Sequence, residues 1–452
     1  MDDTTLTRRE ALARGLAAVA GGAALATVPG RAFAAAPAAP RATTVSAEVL
    51  DSGTLAPGRP GVDYLPVITP NGVSLPWKVV GGVKIFHLVA EPVEHEFAPG
   101  LRASCWGYNG RTSGPTIEAV EGDRVRIYVT NKLPEATSIH WHGLFVPSGM
   151  DGVPGLSQAP IEVGQTFKYE FTLRQHGTFM YHPHVDEMVQ QAMGMMGMFV
   201  IHPRAPHGRR ADRDYALLSA EWRILPGTSR PDPNEMLEFN LFTFNSKVFP
   251  ATQPLVAQRG DLVRIRLANL SATNHHPIHI HGHAWHAVGT DGGAVPDSAR
   301  IPESSVLVPV GATRTMEFIA DNPGDWAIHC HMTHHAMNQM GHPGVNLLGV
   351  KPERISRPVR ALLPDYMTMG TDGMAAMNDM ASMGMPLPKN SIPMLGADGK
   401  HGYIDMGGML TVIKVREQLT NASASDWYEN PPGTVAVEAT SEELARDGVT
   451  TT

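Results

Sequence analysis

The chain has 452 residues, of which 42% are hydrophobic and 18% charged, with a formal charge of −8. That length accommodates two or three domains with sizeable cores, and the acidic balance argues against nucleic acid or an anionic membrane as partner. Two cysteines exclude a disulfide framework, and 45 Gly with 37 Pro read as turn-rich globular structure.

In chain order, residues 1–35 have the pattern of a twin-arginine export signal. The pair Arg8-Arg9 is followed by an Ala/Gly/Leu/Val run from Leu16 to Val28 and a small-X-small site at Ala32-Phe-Ala34. The apolar run is too short and glycine-rich for stable membrane insertion. The expected location is therefore periplasmic or extracellular. Residues 36–75 read as an ordered but irregular leader, and Cys105 as a buried, inert thiol.

Next comes one unit used twice. Gly122-Asp-Arg-Val-Arg-Ile-Tyr-Val-Thr-Asn131 lines up with Gly260-Asp-Leu-Val-Arg-Ile-Arg-Leu-Ala-Asn269, and Gly177-Thr-Phe-Met-Tyr-His182 with Gly324-Asp-Trp-Ala-Ile-His329. The offset is 138 residues at Gly122/Gly260 and 147 at Gly177/Gly324. Val125, Ile127 and Val129 alternate with Arg124, Arg126 and Tyr128, the period of a half-buried strand. Many short strands between Gly/Pro turns, with no strong long amphipathic helix in either repeat, predict an all-β chain of two β-sandwich modules. Module one spans 76–205 and module two 210–352, joined by a polar linker over 204–213. A Met-rich C-terminal extension follows over 360–418, ending in a strand-like run, Met409–Val415, before a polar tail.

The chemistry lies in four histidine clusters: His140-Trp-His142, His182-Pro-His184, His276-Pro-Ile-His279-Ile-His281, and His329-Cys330-His331 running on to His335 and Met340. A thiolate, two imidazoles and a weak thioether are the ligands of a blue copper site; Cys330, His276, His335 and Met340 supply that set. Side chains on a strand alternate between faces, so each His-X-His pair presents two imidazoles on one side. One such pair is usually a surface feature. Four at equivalent places in two repeats offer eight neutral nitrogen ligands, enough for three copper ions. Cys330, between His329 and His331, points to the opposite face. The repeat is its own control: module one has Pro183 in place of Cys330, Thr137 in place of His276, and Met188 and Met193 in place of His335 and Met340. It keeps the cluster-facing pairs alone.

These motifs, over about residues 105–350, resemble the four signatures of the multicopper oxidases. The resemblance implies Greek-key cupredoxin domains and four-electron reduction of dioxygen to water, driven by one-electron oxidation of a small-molecule or metal-ion reductant. By motif position it implies a type 2 copper on His140 and His279. It implies a type 3 pair on His142, His182, His184, His281, His329 and His331, and a type 1 copper on His276, Cys330, His335 and Met340: four ions per chain equivalent. Only 92 residues separate His184 from His276, so the middle domain of three-domain members is missing. The chain resembles the two-domain, laccase-like members, which implies a homotrimer with its cluster formed between subunits.

Asp151, eleven residues after His140, matches a proton-relaying carboxylate in similar oxidases and is also half of an Asp-Gly turn. Ala336 stands where some similar proteins have a second carboxylate. His275, His283, His286, His334 and His342 lie beside ligands and read as hydrogen-bonding or solvent-facing neighbours. The methionines from Met367 to Met385 fit a packed helical stripe, a Cu(I)-capturing thioether cluster or a disordered segment. The substrate is left between phenols or aromatic amines and metal ions such as Cu(I). Two rivals stand beside the oxidase. A copper nitrite reductase needs one type 2 copper and three histidines, and a non-enzymatic copper-binding or electron-transfer protein has no use for module one's four.

Overall fold

The computed structural model describes residues 55–336 apart from 206, 207, 226 and 238, residues 357, 358, 361, 362 and 390, and residues 396–450 apart from 405. The signal segment, Met340, His342 and the methionines from Met367 to Met385 lie outside the described residues. The chain is nearly all β, with 43% strand and 8% helix. Among the described residues, no helix is long and apolar enough to cross a membrane.

Module one pairs two sheets. One runs Trp77–Val80, Val83–Ala98, Arg124–Asn131, Thr166–Thr172, with Leu101–Tyr108 on the long second strand. The other runs Ile117–Val120, Gly197–His202, Gly177–His182, His140–His142. The alternation predicted for Arg124–Asn131 is present: Val125, Ile127 and Val129 are fully buried and Arg124 is exposed. Their side chains join Trp141, Phe171 and Phe199 in the first module's core.

Module two repeats the plan. Its first sheet runs Leu241–Phe244, Arg213–Trp222, Leu262–Asn269, Thr313–Ile319, Trp285–Thr290, Gly293–Ala294; its second runs Leu255–Gln258, Leu410–Arg416, Gly324–Cys330, His276–Ile280, Ser305–Val308. The duplication extends to side chains. Arg126 sits opposite Glu170 across two strands and donates from Nε at 2.6 Å, and Arg264 does the same to Glu317 at 2.8 Å. Strand Leu410–Arg416, which the sequence grouped with the extension, is an interior strand of module two, parallel to Leu255–Gln258 and antiparallel to Gly324–Cys330. The consecutive β-branched residues Thr411, Val412 and Ile413 mark a strand; only the long-range pairing decides which sheet receives it.

A third apolar cluster joins the modules through Phe97, Met180, Met196, Met198, Leu218 and Trp222. A buried ion pair of module two reaches across the same seam through one hydrogen bond. Arg266 donates to both carboxylate oxygens of Asp214 at 2.8 Å and to Thr178 Oγ1 of module one at 2.9 Å. A bidentate carboxylate partner and a further acceptor are what make a buried guanidinium tolerable. Residues 55–75 strap across both modules without regular strands: Val67 donates to Glu118 at 2.9 Å and Ile68 bridges Tyr215.

Candidate metal centres

Two arrangements of donor atoms stand out, one thiol-containing and buried, the other split into two histidine quartets.

His276 opens strand His276–Ile280, Cys330 closes strand Gly324–Cys330, and these strands pair with Ile278 opposite Cys330. His335 lies on the short helix Thr333–Ala336. Their donor atoms converge. His276 Nδ1 is 3.2 Å from His335 Nδ1, and Cys330 Sγ is 3.6 Å and 3.5 Å from the two nitrogens. The imidazole of His335 stacks on Phe242 at 4.0 Å, and the far nitrogen of His276, Nε2, meets Ser271 Oγ at 2.7 Å. Backbone from the Leu410–Arg416 arm clamps this loop: Met409 N donates to His335 O at 2.9 Å, and Cys330 N to Met409 O at 3.0 Å. Gly408 leaves no room for a side chain, because a Cβ there would lie 2.0 Å from His335 O.

Burial lowers His276 to about 3 and His335 to about 4, so both rings are neutral near pH 7. Burial also pushes the Cys330 thiol up to about 12. A buried thiol flanked by two neutral imidazoles ionises against a bound cation, and a sulfur with two nitrogens is a soft donor set that suits copper. The residues fit the group.

In the module-one quartet His140, His142 and His182 lie on the adjacent strands His140–His142 and Gly177–His182, with His140 opposite His182, and His184 follows just beyond the second strand. In the module-two quartet His279 and His329 lie opposite each other on His276–Ile280 and Gly324–Cys330, and His281 and His331 each follow one residue beyond those strands. Several ring spacings match between the two copies, although His140 and His142 stand 5.8 Å apart where His279 and His281 stand 4.8 Å apart. The ring centroids of His142 and His182 are 5.4 Å apart and those of His281 and His329 5.2 Å; the pairs His140/His184 and His279/His331 stand at 5.6 and 5.4 Å. His142 Nδ1 approaches His182 Nε2 to 3.2 Å, and His281 Nε2 approaches His329 Nε2 to 3.1 Å.

In each quartet two rings are pinned by main-chain carbonyls. From Nδ1, His140 donates to Asp151 O (2.8 Å) and His182 to Pro183 O (2.9 Å); His279 donates to Ser304 O (2.7 Å) and His329 to Cys330 O (2.9 Å). Each bond fixes a tautomer with a bare Nε2, the form that binds metal. His140, His142 and His182 bring ligand atoms within 4.8 Å of one another. His182 is lowered to about 3, first by burial and then by its histidine neighbours.

Asp151 follows the turn Ser148–Met150 and holds His140 through its carbonyl, with its carboxylate Oδ1 3.5 Å from His140 Nδ1. Gly152 makes this possible: it takes φ +84°, and a Cβ would fall 1.6 Å from Ile139 O. In module one Thr137, equivalent to His276, is buried and donates to Gln190 Oε1 at 2.7 Å, while Met193 is buried and Met188 exposed. No thiol-type site is present there.

Sequence reasoning missed Glu187, whose carboxylate oxygens lie 3.4 Å from His182 Nδ1 and 3.6 Å from His184 Nε2. Its position in the first turn of helix Glu187–Ala192, just after His-Pro-His, was the available signal. Of the other histidines flanking ligands, His275 Nδ1 accepts from Val310 N at 3.0 Å and His283 packs against Phe318.

Two family profiles, both described as multicopper oxidase, match residues 90–206 and 226–346 and together cover more than half of the chain. The chain belongs to the multicopper oxidase family. Membership carries copper binding and the cupredoxin-like fold. This multicopper oxidase is 41% identical over 123 residues to Copper resistance protein A of Pseudomonas syringae pv. tomato, covering 27% of this chain and 20% of that protein. It is 40% identical over 129 residues to Laccase-1 of Cryptococcus neoformans var. grubii, again 27% of this chain and 20% of the relative. The chain thus spans about a fifth of the length of these two relatives. Among solved structures, the blue copper oxidase from Nitrosomonas europaea is similar with a TM-score of 0.55 and 25% identity, covering 76% of this chain and 91% of that one.

Proposed function

We propose that the chain is an exported two-domain oxidase that couples one-electron oxidation of a reducing substrate to four-electron reduction of dioxygen to water. Its reductant is a phenolic compound or a metal ion such as Cu(I), and similarity to a protein named for copper resistance favours the metal ion. One type 1 copper would be held by His276, Cys330 and His335, with Met340 as the weak fourth ligand. Type 2 copper would use His140 and His279. The type 3 pair would use His142, His182, His184, His281, His329 and His331.

Bound copper would supply one-electron exchange at the sulfur and dioxygen reduction at the cluster. The chain's own part is organisation. Cys330 is covalently adjacent to His329 and His331, and its carbonyl also accepts the Nδ1 proton of His329 at 2.9 Å. Sulfur and cluster-facing imidazoles are therefore linked both through bonds and across one hydrogen bond. The Asp151 carboxylate, 3.5 Å from His140 Nδ1, would hand on the protons that water formation consumes.

One observation carries the oxidase reading: the two quartets are matching halves, each short of a complete cluster. Among the described residues no hydrogen bond or ring contact joins one quartet to the other, and His281 and His331 are exposed. Exposed apolar side chains accompany the halves, including Phe145 and Met188 in module one and Leu307 and Met332 in module two. We read this as a head-to-tail homotrimer in which module one of one subunit faces module two of the next. A nitrite reductase would leave most of these eight rings unused, and a carrier would leave all of them. Copper analysis with oxygen uptake tests the proposal: about four ions per chain with substrate-dependent oxygen consumption supports it, and one or two ions without consumption refutes it.

A further inference from the structure

We infer that Ser271 is a positioning residue for the thiol-containing site: its hydroxyl accepts the Nε2 proton of His276 and so holds that ring with Nδ1 aimed at Cys330 and His335. This rests on the type 1 assignment proposed above.

The internal repeat isolates the hydroxyl from everything else around it. In module one Asn131 Oδ1 accepts from Leu133 N at 2.9 Å, and the Asn131 amide donates to Glu135 O and Ile161 O at 2.8 Å. In module two Asn269 Oδ1 accepts from Ser271 N at 2.9 Å, and its amide donates to Asn274 O and Val308 O at 3.0 Å. The backbone turn is one design built twice. Its third residue is a buried leucine where the module has Thr137, and a buried serine where it has His276. A leucine satisfies the turn, so the turn does not call for the hydroxyl.

The imidazole does. His276 is fully buried, and its Nε2 has Ser271 Oγ at 2.7 Å as its hydrogen-bond partner among the described residues. With Nδ1 facing sulfur, Nε2 carries the proton and donates it. A buried N–H without an acceptor would be costly, and the ring could swing to satisfy it elsewhere. The loop that carries Ser271 is anchored in turn. Glu221 accepts from Thr273 N at 2.6 Å and from Asn274 Nδ2 at 2.5 Å. An imidazole that donates a hydrogen bond is a better electron donor at its other nitrogen, so Ser271 favours the oxidised ion and lowers the site's reduction potential.

The test compares wild type, Ser271→Ala and Ser271→Thr after copper loading. Pulsed EPR of the remote imidazole nitrogen, redox titration and visible absorbance are read together. In Ser271→Ala the remote-nitrogen quadrupole coupling should change and the potential should rise while the blue absorbance persists; Ser271→Thr should return both to wild-type values. An unchanged coupling and potential in Ser271→Ala would overturn the assignment. So would a change that Ser271→Thr fails to reverse, which would mark a packing role. Where the alanine variant does not load, wild type alone decides. The Nε2 proton should exchange slowly into deuterated solvent when followed by the same EPR method, and immediate exchange would contradict a buried bond. A wild type lacking any blue signal would refute the type 1 reading itself.

Discussion

His329 donates from Nδ1 to the carbonyl oxygen of its neighbour Cys330 over 2.9 Å. The residue that presents sulfur to one face of the strand thus also fixes the tautomer of an imidazole on the other. His182 makes the same bond to Pro183 O in module one, where proline stands in the place of Cys330. The bond is therefore part of the repeat's cluster-building plan, and Cys330 was set into it.

The separation of the two faces predicts the outcome of Cys330→Ser. That variant should lose the blue absorbance and substrate oxidation, yet retain about three of four coppers per chain by elemental analysis. Loss of all copper would show that the sites do not form independently.

Asp151 acts on His140 through its carbonyl, so its carboxylate can be tested alone. Asp151→Asn should keep full copper content and lower turnover by roughly 10²-fold, the scale of one lost proton-transfer group. Gly152→Ala, by contrast, forces a Cβ into Ile139 O and should cost roughly 3 kcal/mol in urea unfolding, with loss of cluster copper. Equal behaviour of the two variants would remove the distinction.

A cluster completed between subunits predicts complementation. A chain carrying His140→Ala and His142→Ala, and another carrying His279→Ala and His281→Ala, should each be inactive alone. Co-expressed, they should regain measurable oxygen uptake, because mixed rings contain an interface with both wild-type halves. No recovery in verified mixed oligomers would contradict the arrangement.

Acid should weaken the copper-free protein. The folded values of His276, His335 and His182, about 3, 4 and 3, lie below the ordinary 6.5, so the unfolded chain takes up protons first. Stability should be insensitive to these groups above pH 6.5 and fall as pH drops from about 6.5 towards 4, each contributing up to about 1.4 kcal/mol per pH unit. Urea midpoints at pH 7, 6 and 5 check this, and a flat series would contradict it.

The pattern of Val125, Ile127 and Val129, the repeated Gly-Asp strand and the paired histidines made the sandwich and both quartets legible in the sequence, because period-two alternation is a local property. What escaped reading is long-range or carried by the main chain. The acceptors of His140, His182, His279 and His329 are carbonyls, which every residue possesses, so no residue type announces them. Phe242 stacks on His335 from a strand 93 positions away, and Leu410–Arg416 enters module two across the whole extension. Ser271 was readable: aligning it with Leu133 shows a hydroxyl in the module that has Cys330 and an aliphatic side chain in the other.

Diffraction at the copper absorption edge, on crystals of the copper-loaded protein, bears most directly on whether the two quartets make one cluster. The account predicts one anomalous peak at Cys330 and a group of three bounded by His140, His142, His182 and His184 of one subunit and by His279, His281, His329 and His331 of a neighbour. Single, separate peaks on each quartet, or none, would contradict it.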